Sequence, residues 1–339
     1  MKAAVFKGVG IPLAIEHRPD PTPAEGEVVI KTGRCGICGS DLHFTDGRSK
    51  KYVYAIGTVP GHEYAGTIVA VGPSVTRVKV GDSVASMPFA GCGRCDFCRA
   101  GRQIFCPNMR PGSGGYAEYI LQSENALVKL PTSLSSADGA LVEPLAVALR
   151  GVKLAQMRVG ARVLILGAGP IGLAVAFWAR RYGASLVTVV ARSRRREGLA
   201  MTMGADHFLL AGDERGLPKA AAEALGQTPE IVFECVGDPG MIELSMNCVR
   251  PGGKVVVAGY CMEPDTLIPA DASTKEVCIQ FSSVYDTPEF EHAARMLDAG
   301  AVEPRSIITG TVGLQDFSAQ FEALRGPTHH CKVMLDPWH

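Results

Sequence analysis

Two textures of apolar and polar residues divide the chain. Over roughly the first third, short stretches at 27–32, 64–71, 82–87, 116–121 and 126–130 are rich in strand-forming residues and lie between Gly, Pro and Asp turns. They predict strands of a compact, barrel-like domain. From about Ser136 the texture becomes helical, with an interruption expected at Pro144. Strand-like runs then start near Val163, Leu186, His207, Ile231, Val255 and Val277, about 20 to 24 residues apart, with a helical pattern in each interval. That rhythm predicts an α/β domain with a six-stranded, doubly wound parallel sheet. After Phe281 the pattern is mixed, with a helix expected around 289–299 and a closing strand Lys332–Leu335. Having no partner of its own, this tail is expected to return to the first domain. The expected boundaries are 1–149, 150–283 and 284–339.

One apolar stretch, 163–179, is nearly long enough to span a bilayer, but Gly167-Ala168-Gly169-Pro170 would break a single helix at its middle. It reads as strand, turn, helix. The chain has 339 residues, more than one core usually organises, and its 47% hydrophobic and 20% charged content is globular. With 34 basic and 34 acidic side chains, nothing draws the whole molecule to nucleic acid or to an anionic membrane. Lys2 and Lys7 precede any long apolar region, so no secretory signal is read and a cytoplasmic location is expected.

Eleven cysteines are present, and six of them, Cys35, Cys38, Cys92, Cys95, Cys98 and Cys106, are closely spaced, which without a secretory signal favours metal over disulfides. The others, Cys235, Cys248, Cys261, Cys278 and Cys331, sit among apolar residues and read as small buried hydrophobes. Cys92, Cys95, Cys98 and Cys106 can close a tetrahedral zinc site in a lobe at 91–107, with no position left for substrate, so its role would be structural. A nucleic-acid zinc ribbon would need a basic stripe that the segment lacks. Upstream, Cys38 and His62 can offer zinc one soft and one borderline ligand, and a carboxylate can complete three protein ligands with a fourth position open. Glu63 and Glu143 are the candidates, and the sequence leaves the choice between them open.

Gly167-Ala168-Gly169-Pro170-Ile171-Gly172 follows a strand and opens a helix, where glycines let backbone amides approach a pyrophosphate. About 20 positions later an NAD site carries an acid that binds the ribose hydroxyls. Here stand Ala191-Arg192-Ser193-Arg194-Arg195-Arg196, which predicts recognition of the extra phosphate of NADP(H) by the arginines and by amides of the helix they open.

These segments, Cys35-Gly-Ile-Cys38-Gly-Ser40-Asp41-Leu-His43, Gly61-His62-Glu63, the four-cysteine run and Glu143-Pro144-Leu145, resemble the zinc-dependent medium-chain alcohol dehydrogenases, most closely the polyol, threonine and butanediol dehydrogenase branch. The resemblance covers essentially the whole chain. It implies a Rossmann domain inserted in a GroES-like catalytic domain, a homodimer or homotetramer, one catalytic and one structural zinc per chain, and a small alcohol or ketone substrate. It places Cys38, His62 and Glu143 at the catalytic zinc, with Glu63 the alternative ligand. Asp41 would orient the ligand histidine. Ser40 and His43 would relay the alcohol proton to water while hydride passes to the nicotinamide. A serine stands in Phe281-Ser282-Ser283-Val284-Tyr285, where polyol-oxidising relatives commonly place an arginine, so a less hydroxylated secondary alcohol or its ketone competes with a sugar alcohol. A non-catalytic nucleotide-binding protein would have lost the ligands or the relay, and a zinc-free reductase on this fold has no use for Cys38, His62 and the clustered cysteines.

Overall fold

The computed structural model describes residues 1–49, 51–212 and 215–339. It divides into one unit of Met1–Glu143 with Tyr285–His339, and a second of Pro144–Val284.

The second unit is built on a six-stranded sheet in which every pairing is parallel, ordered His207–Leu210, Leu186–Ala191, Arg162–Leu166, Ile231–Glu234, Lys254–Val257, Cys278–Phe281. This is the doubly wound arrangement, with its reversal of strand order beside Arg162–Leu166. Helix Pro170–Arg181 follows that strand, with proline preset at its first turn and Gly172 to Ala179 buried, as its apolar sequence requires. Strand, turn and helix thus replace any membrane span, and among the described residues no helix is long and apolar enough to cross a bilayer.

In the first unit the ten-residue strand Glu27–Gly36 organises the sheet. Glu63–Val71 runs antiparallel along its whole length. Its other edge is shared, Tyr119–Ser123 taking the first half and Lys332–Leu335 the end at Cys35 and Gly36. The sheet is therefore branched, and the barrel-like ladder expected from the sequence does not close among the described strands. Phe6, Ile30, Tyr64, Tyr116, Phe317, Phe321, Val333 and Leu335 belong to the core beneath it. The C-terminal tail supplies a central part of that core.

Three expectations need correction. Pro144 does not interrupt the helix, which runs unbroken over Ser136–Ala155. An internal proline costs about 3 kcal/mol. Leu141, Val142, Leu145 and Leu149 are buried around it, each contributing about 1.5–3 kcal/mol, so burial wins. The first unit boundary falls inside this helix, at Glu143/Pro144 rather than 149/150, and the second at Val284/Tyr285 rather than 283/284. Cys248 and Cys331 are buried as small hydrophobes, but Cys235 and Cys261 are half-buried and Cys278, on the edge strand, is exposed.

Candidate active site

Cys38 follows the end of strand Glu27–Gly36 and caps helix Gly39–Asp46 in a reciprocal arrangement: its sulfur faces the Asp41 amide, and its own amide donates to the Asp41 carboxylate. Cys35, the other half of the CxxC pair, is buried, and burial pushes its thiol well above the usual range, so it is a packed side chain and not a redox partner.

His62 and Glu63 enter from the neighbouring strand. Glu63 pairs across the ladder with Gly36, which brings it to the end of the strand that leads into Cys38. One potential ligand atom each from Cys38, His62 and Glu63 lies within 4.8 Å of the others. The fully buried Asp41 carboxylate takes hydrogen bonds from Tyr54 (2.6 Å) and Tyr116 (2.5 Å) and faces His62 Nδ1 at 3.3 Å. Burial would raise its pKa, but the His62 imidazole and the two phenols overcome this and hold it at about 2. An ionised Asp41 fixes the proton on Nδ1 and leaves Nε2 for a metal.

Glu63 is buried with Lys332, whose ammonium donates to Oε1 at 2.6 Å. Its other oxygen, Oε2, is buried without a hydrogen-bond partner among the described residues. A buried carboxylate with one oxygen unpaired, grouped with a sulfur and an imidazole, fits the donor set of a zinc site with three protein ligands. Glu143 is buried but stands outside this group of mutually close atoms. Burial, opposed by the His62 imidazole and reinforced by the Glu63 charge, pushes its carboxyl up to about 7. Ser40 donates to Cys38 Sγ at 3.3 Å. His43 lies one turn along the helix, part-exposed, with Nδ1 facing Asp46 at 3.5 Å and in contact with the Arg48 guanidinium. No direct hydrogen bond joins Ser40 to His43 among the described residues.

Cys92, Cys95, Cys98 and Cys106 also bring their sulfurs within 4.8 Å of one another, as free thiols. The Arg94 and Cys95 amides hold the Cys92 thiol down to about 6, while burial pushes Cys98 up to about 12. Gly91 permits the packing, since a Cβ there would lie 2.4 Å from Cys98 Sγ. Four converging sulfurs, with no fifth group joining them among the described residues, match a closed tetrahedral zinc site.

In the second unit each motif glycine has a distinct use. Gly167 takes a φ of 109°, a Cβ on Gly172 would lie 1.9 Å from the Gly167 carbonyl oxygen, and Gly169 opens onto free space at the start of the helix of Pro170 and Ile171. Strand Leu186–Ala191 ends at Ala191, and the basic run follows as an extended Ser193 and a single turn Arg194–Arg196. Arg194 is paired with Glu197 at 2.6 Å and Arg196 donates to the Ala168 carbonyl at 3.2 Å, while Arg192 and Arg195 are exposed. The amide contribution expected from the next helix is not supported. That helix, Glu197–Thr202, is short and begins with an acid, so phosphate recognition would rest on side chains.

Sequence reasoning missed Lys332, Tyr54, Tyr116 and Gly36. A lysine opening the apolar strand Lys332–Leu335 was the one legible signal, because a charge at a core position needs a partner. Nothing in the sequence pairs the tyrosines with Asp41.

Known proteins resemble this chain over most of its length. Residues 24–132 match the alcohol dehydrogenase GroES-like domain and residues 170–299 match the zinc-binding dehydrogenase model. A sorbitol dehydrogenase of Bacillus subtilis (strain 168) is 32% identical over 99% of this chain and 97% of its own length. Among solved structures, a zinc-binding dehydrogenase of Sinorhizobium meliloti 1021 bound to NADP superposes with a TM-score of 0.88 at 30% identity, covering 99% of each chain. A short chain alcohol dehydrogenase from Escherichia coli CFT073 complexed with NADH gives 0.89 at 29% identity, also over 99% of each chain. The chain belongs to the zinc-dependent medium-chain alcohol dehydrogenase family. It is an oxidoreductase acting on the CH–OH group of alcohols.

Proposed function

We propose that the protein interconverts a secondary alcohol or polyol and its ketone, with NADP(H) as hydride carrier and zinc held by Cys38, His62 and Glu63. The observation that carries this reading is the meeting of Cys38, His62 and the buried Glu63, one of whose carboxylate oxygens has no hydrogen-bond partner among the described residues. Bound there, zinc would supply the Lewis acidity that makes an alcohol proton labile near neutral pH. Asp41 holds His62 as a ligand through Nε2, and the Ser40 hydroxyl, already on the ligand sulfur, is placed to take the substrate proton. Since Ser40 and His43 are not bonded directly, water completes the path to His43 and solvent. Glu143 is a neighbouring carboxyl in this reading, not a direct ligand. The Cys92, Cys95, Cys98 and Cys106 site holds a second, structural zinc. The likeness to a sorbitol dehydrogenase favours a polyol and the serine in the 281–285 segment a simpler secondary alcohol, so both classes are substrates to test.

The test is a panel of secondary alcohols, polyols and ketones, followed by reduced-cofactor absorbance on zinc-loaded protein. Turnover of at least one class is expected, and failure on every member would remove the reading. Within the same assay, His43→Ala should slow alcohol oxidation by about 10²-fold or more at neutral and lower pH, with partial rescue by small-molecule bases. Rates matching wild type across pH would take His43 out of the relay.

A further inference from the structure

Lys332 is 1% exposed and carries a charge in a strand that otherwise reads as core. Two acceptors hold its ammonium, Glu63 Oε1 at 2.6 Å and the Ile37 carbonyl at 2.9 Å. The pair exists because of Gly36. A Cβ at Gly36 would lie 2.1 Å from Glu63 Oε2 and 3.2 Å from Lys332 Cδ, so the missing side chain makes the space in which strands from opposite ends of the chain bring the two charges together. Burial disfavours a charged lysine, yet Glu63 and Cys38 outweigh it and hold its pKa above the usual value.

The two oxygens of Glu63 are thus made inequivalent. Oε1 is taken by Lys332 and Oε2 is left without a hydrogen-bond partner among the described residues, while Glu63 contributes one carboxylate oxygen to the group with Cys38 and His62. A carboxylate freed of such a partner can turn both oxygens on one cation. We infer that Lys332 is a positioning residue that restricts Glu63 to one-oxygen ligation through Oε2, keeping the protein's contribution at three ligand atoms. Its effect is carried by geometry. The inference rests on the zinc site proposed above and goes beyond it, because that site needs Glu63 but says nothing of how many of its oxygens bind.

The experiment is cobalt(II) substitution at the catalytic site of the full-length protein, with zinc kept in the four-cysteine site. Visible absorption reports coordination number, and metal stoichiometry is measured in parallel. Wild type should show a four-coordinate spectrum. Lys332→Met should keep its metal, shift to a five-coordinate spectrum and lose about 10- to 100-fold in kcat/KM. Lys332→Arg, which retains a donor and the charge, should recover the wild-type spectrum. In a Glu63→Gln background, Lys332→Met should leave the spectrum unchanged. An unaltered spectrum in folded Lys332→Met would overturn the inference, and so would loss of the metal, which would assign Lys332 to affinity. Should Lys332→Met fail to fold, a crystal structure of zinc-loaded wild type decides: one Glu63 oxygen within about 2.2 Å of zinc supports it, two overturn it. Wild type that binds no metal at Cys38, His62 and Glu63 would instead remove the underlying site.

Discussion

Steady-state kinetics of the wild-type protein should give a kcat/KM about a hundredfold higher with NADP(H) than with NAD(H). Strand Leu186–Ala191 lies beside the strand that carries the glycine motif, and its end is where an NAD site would place an acid. Ala191 offers none. Beyond it, Arg194 is occupied by Glu197 and Arg196 by the Ala168 carbonyl, which leaves Arg192 and Arg195 exposed and without a partner among the described residues. Each charge-assisted bond to a phosphate contributes ~1.5–3 kcal/mol, and exposure to salt argues for the lower end. Two such bonds give ~3 kcal/mol, and at ~1.4 kcal/mol per decade this is about two decades. Solved relatives contain NADP in one case and NADH in another, so the shared fold by itself does not decide the choice. Ala191→Asp combined with Arg192→Leu should move most of the preference to NAD(H), by removing an attraction and adding a repulsion. Equal or better efficiency of the wild type with NAD(H) would defeat the assignment.

The two proposed zinc sites should separate cleanly under mutation. Cys38→Ser would remove the soft ligand from the proposed site of Cys38, His62 and Glu63. Lewis-acid assistance contributes several kcal/mol, so kcat/KM should fall by at least about a thousandfold, while circular dichroism and melting temperature change little. Cys98→Ser acts on the four-cysteine group, where a closed zinc site would hold the 92–106 loop together, so bound zinc should drop by one ion per chain and the melting temperature should fall. Elemental analysis of fully loaded wild type showing fewer than two zinc ions per chain contradicts this division. So does a Cys38→Ser protein that turns over at the wild-type rate.

Much of the architecture was legible because it is written in local periodicity. The parallel-strand starts predicted at Leu186, His207 and Ile231 coincide with the observed ones, and those at Val163, Val255 and Val277 are one residue away. Buried strands separated by helical intervals impose that rhythm wherever they occur. Strands Lys2–Val5, Ala14–His17 and Ile308–Val312 were not anticipated. They are short, and pairing sustains them more than any pattern of their own, the first two with each other and the third with Lys332–Leu335. Pro144 shows the converse: a strong local signal for a break lost to the burial of the helix around it.

At the site, the sequence by itself determined the chemistry on offer: a thiol and an imidazole beside a carboxylate, four clustered cysteines, three glycines at a helix start, and arginines where an acid would stand. Those are properties of residue type and spacing, and both survive in one dimension. Which carboxylate joins Cys38 and His62 was decided only in three dimensions, by the ladder register that sets Glu63 opposite Gly36 and leaves Glu143 outside the group. The partner that engages one of its oxygens comes from 269 positions away. A buried charge must find a counter-charge, yet the requirement does not say where along the chain that partner lies. Only the pairing of the last strand with Cys35 and Gly36 places Lys332 there.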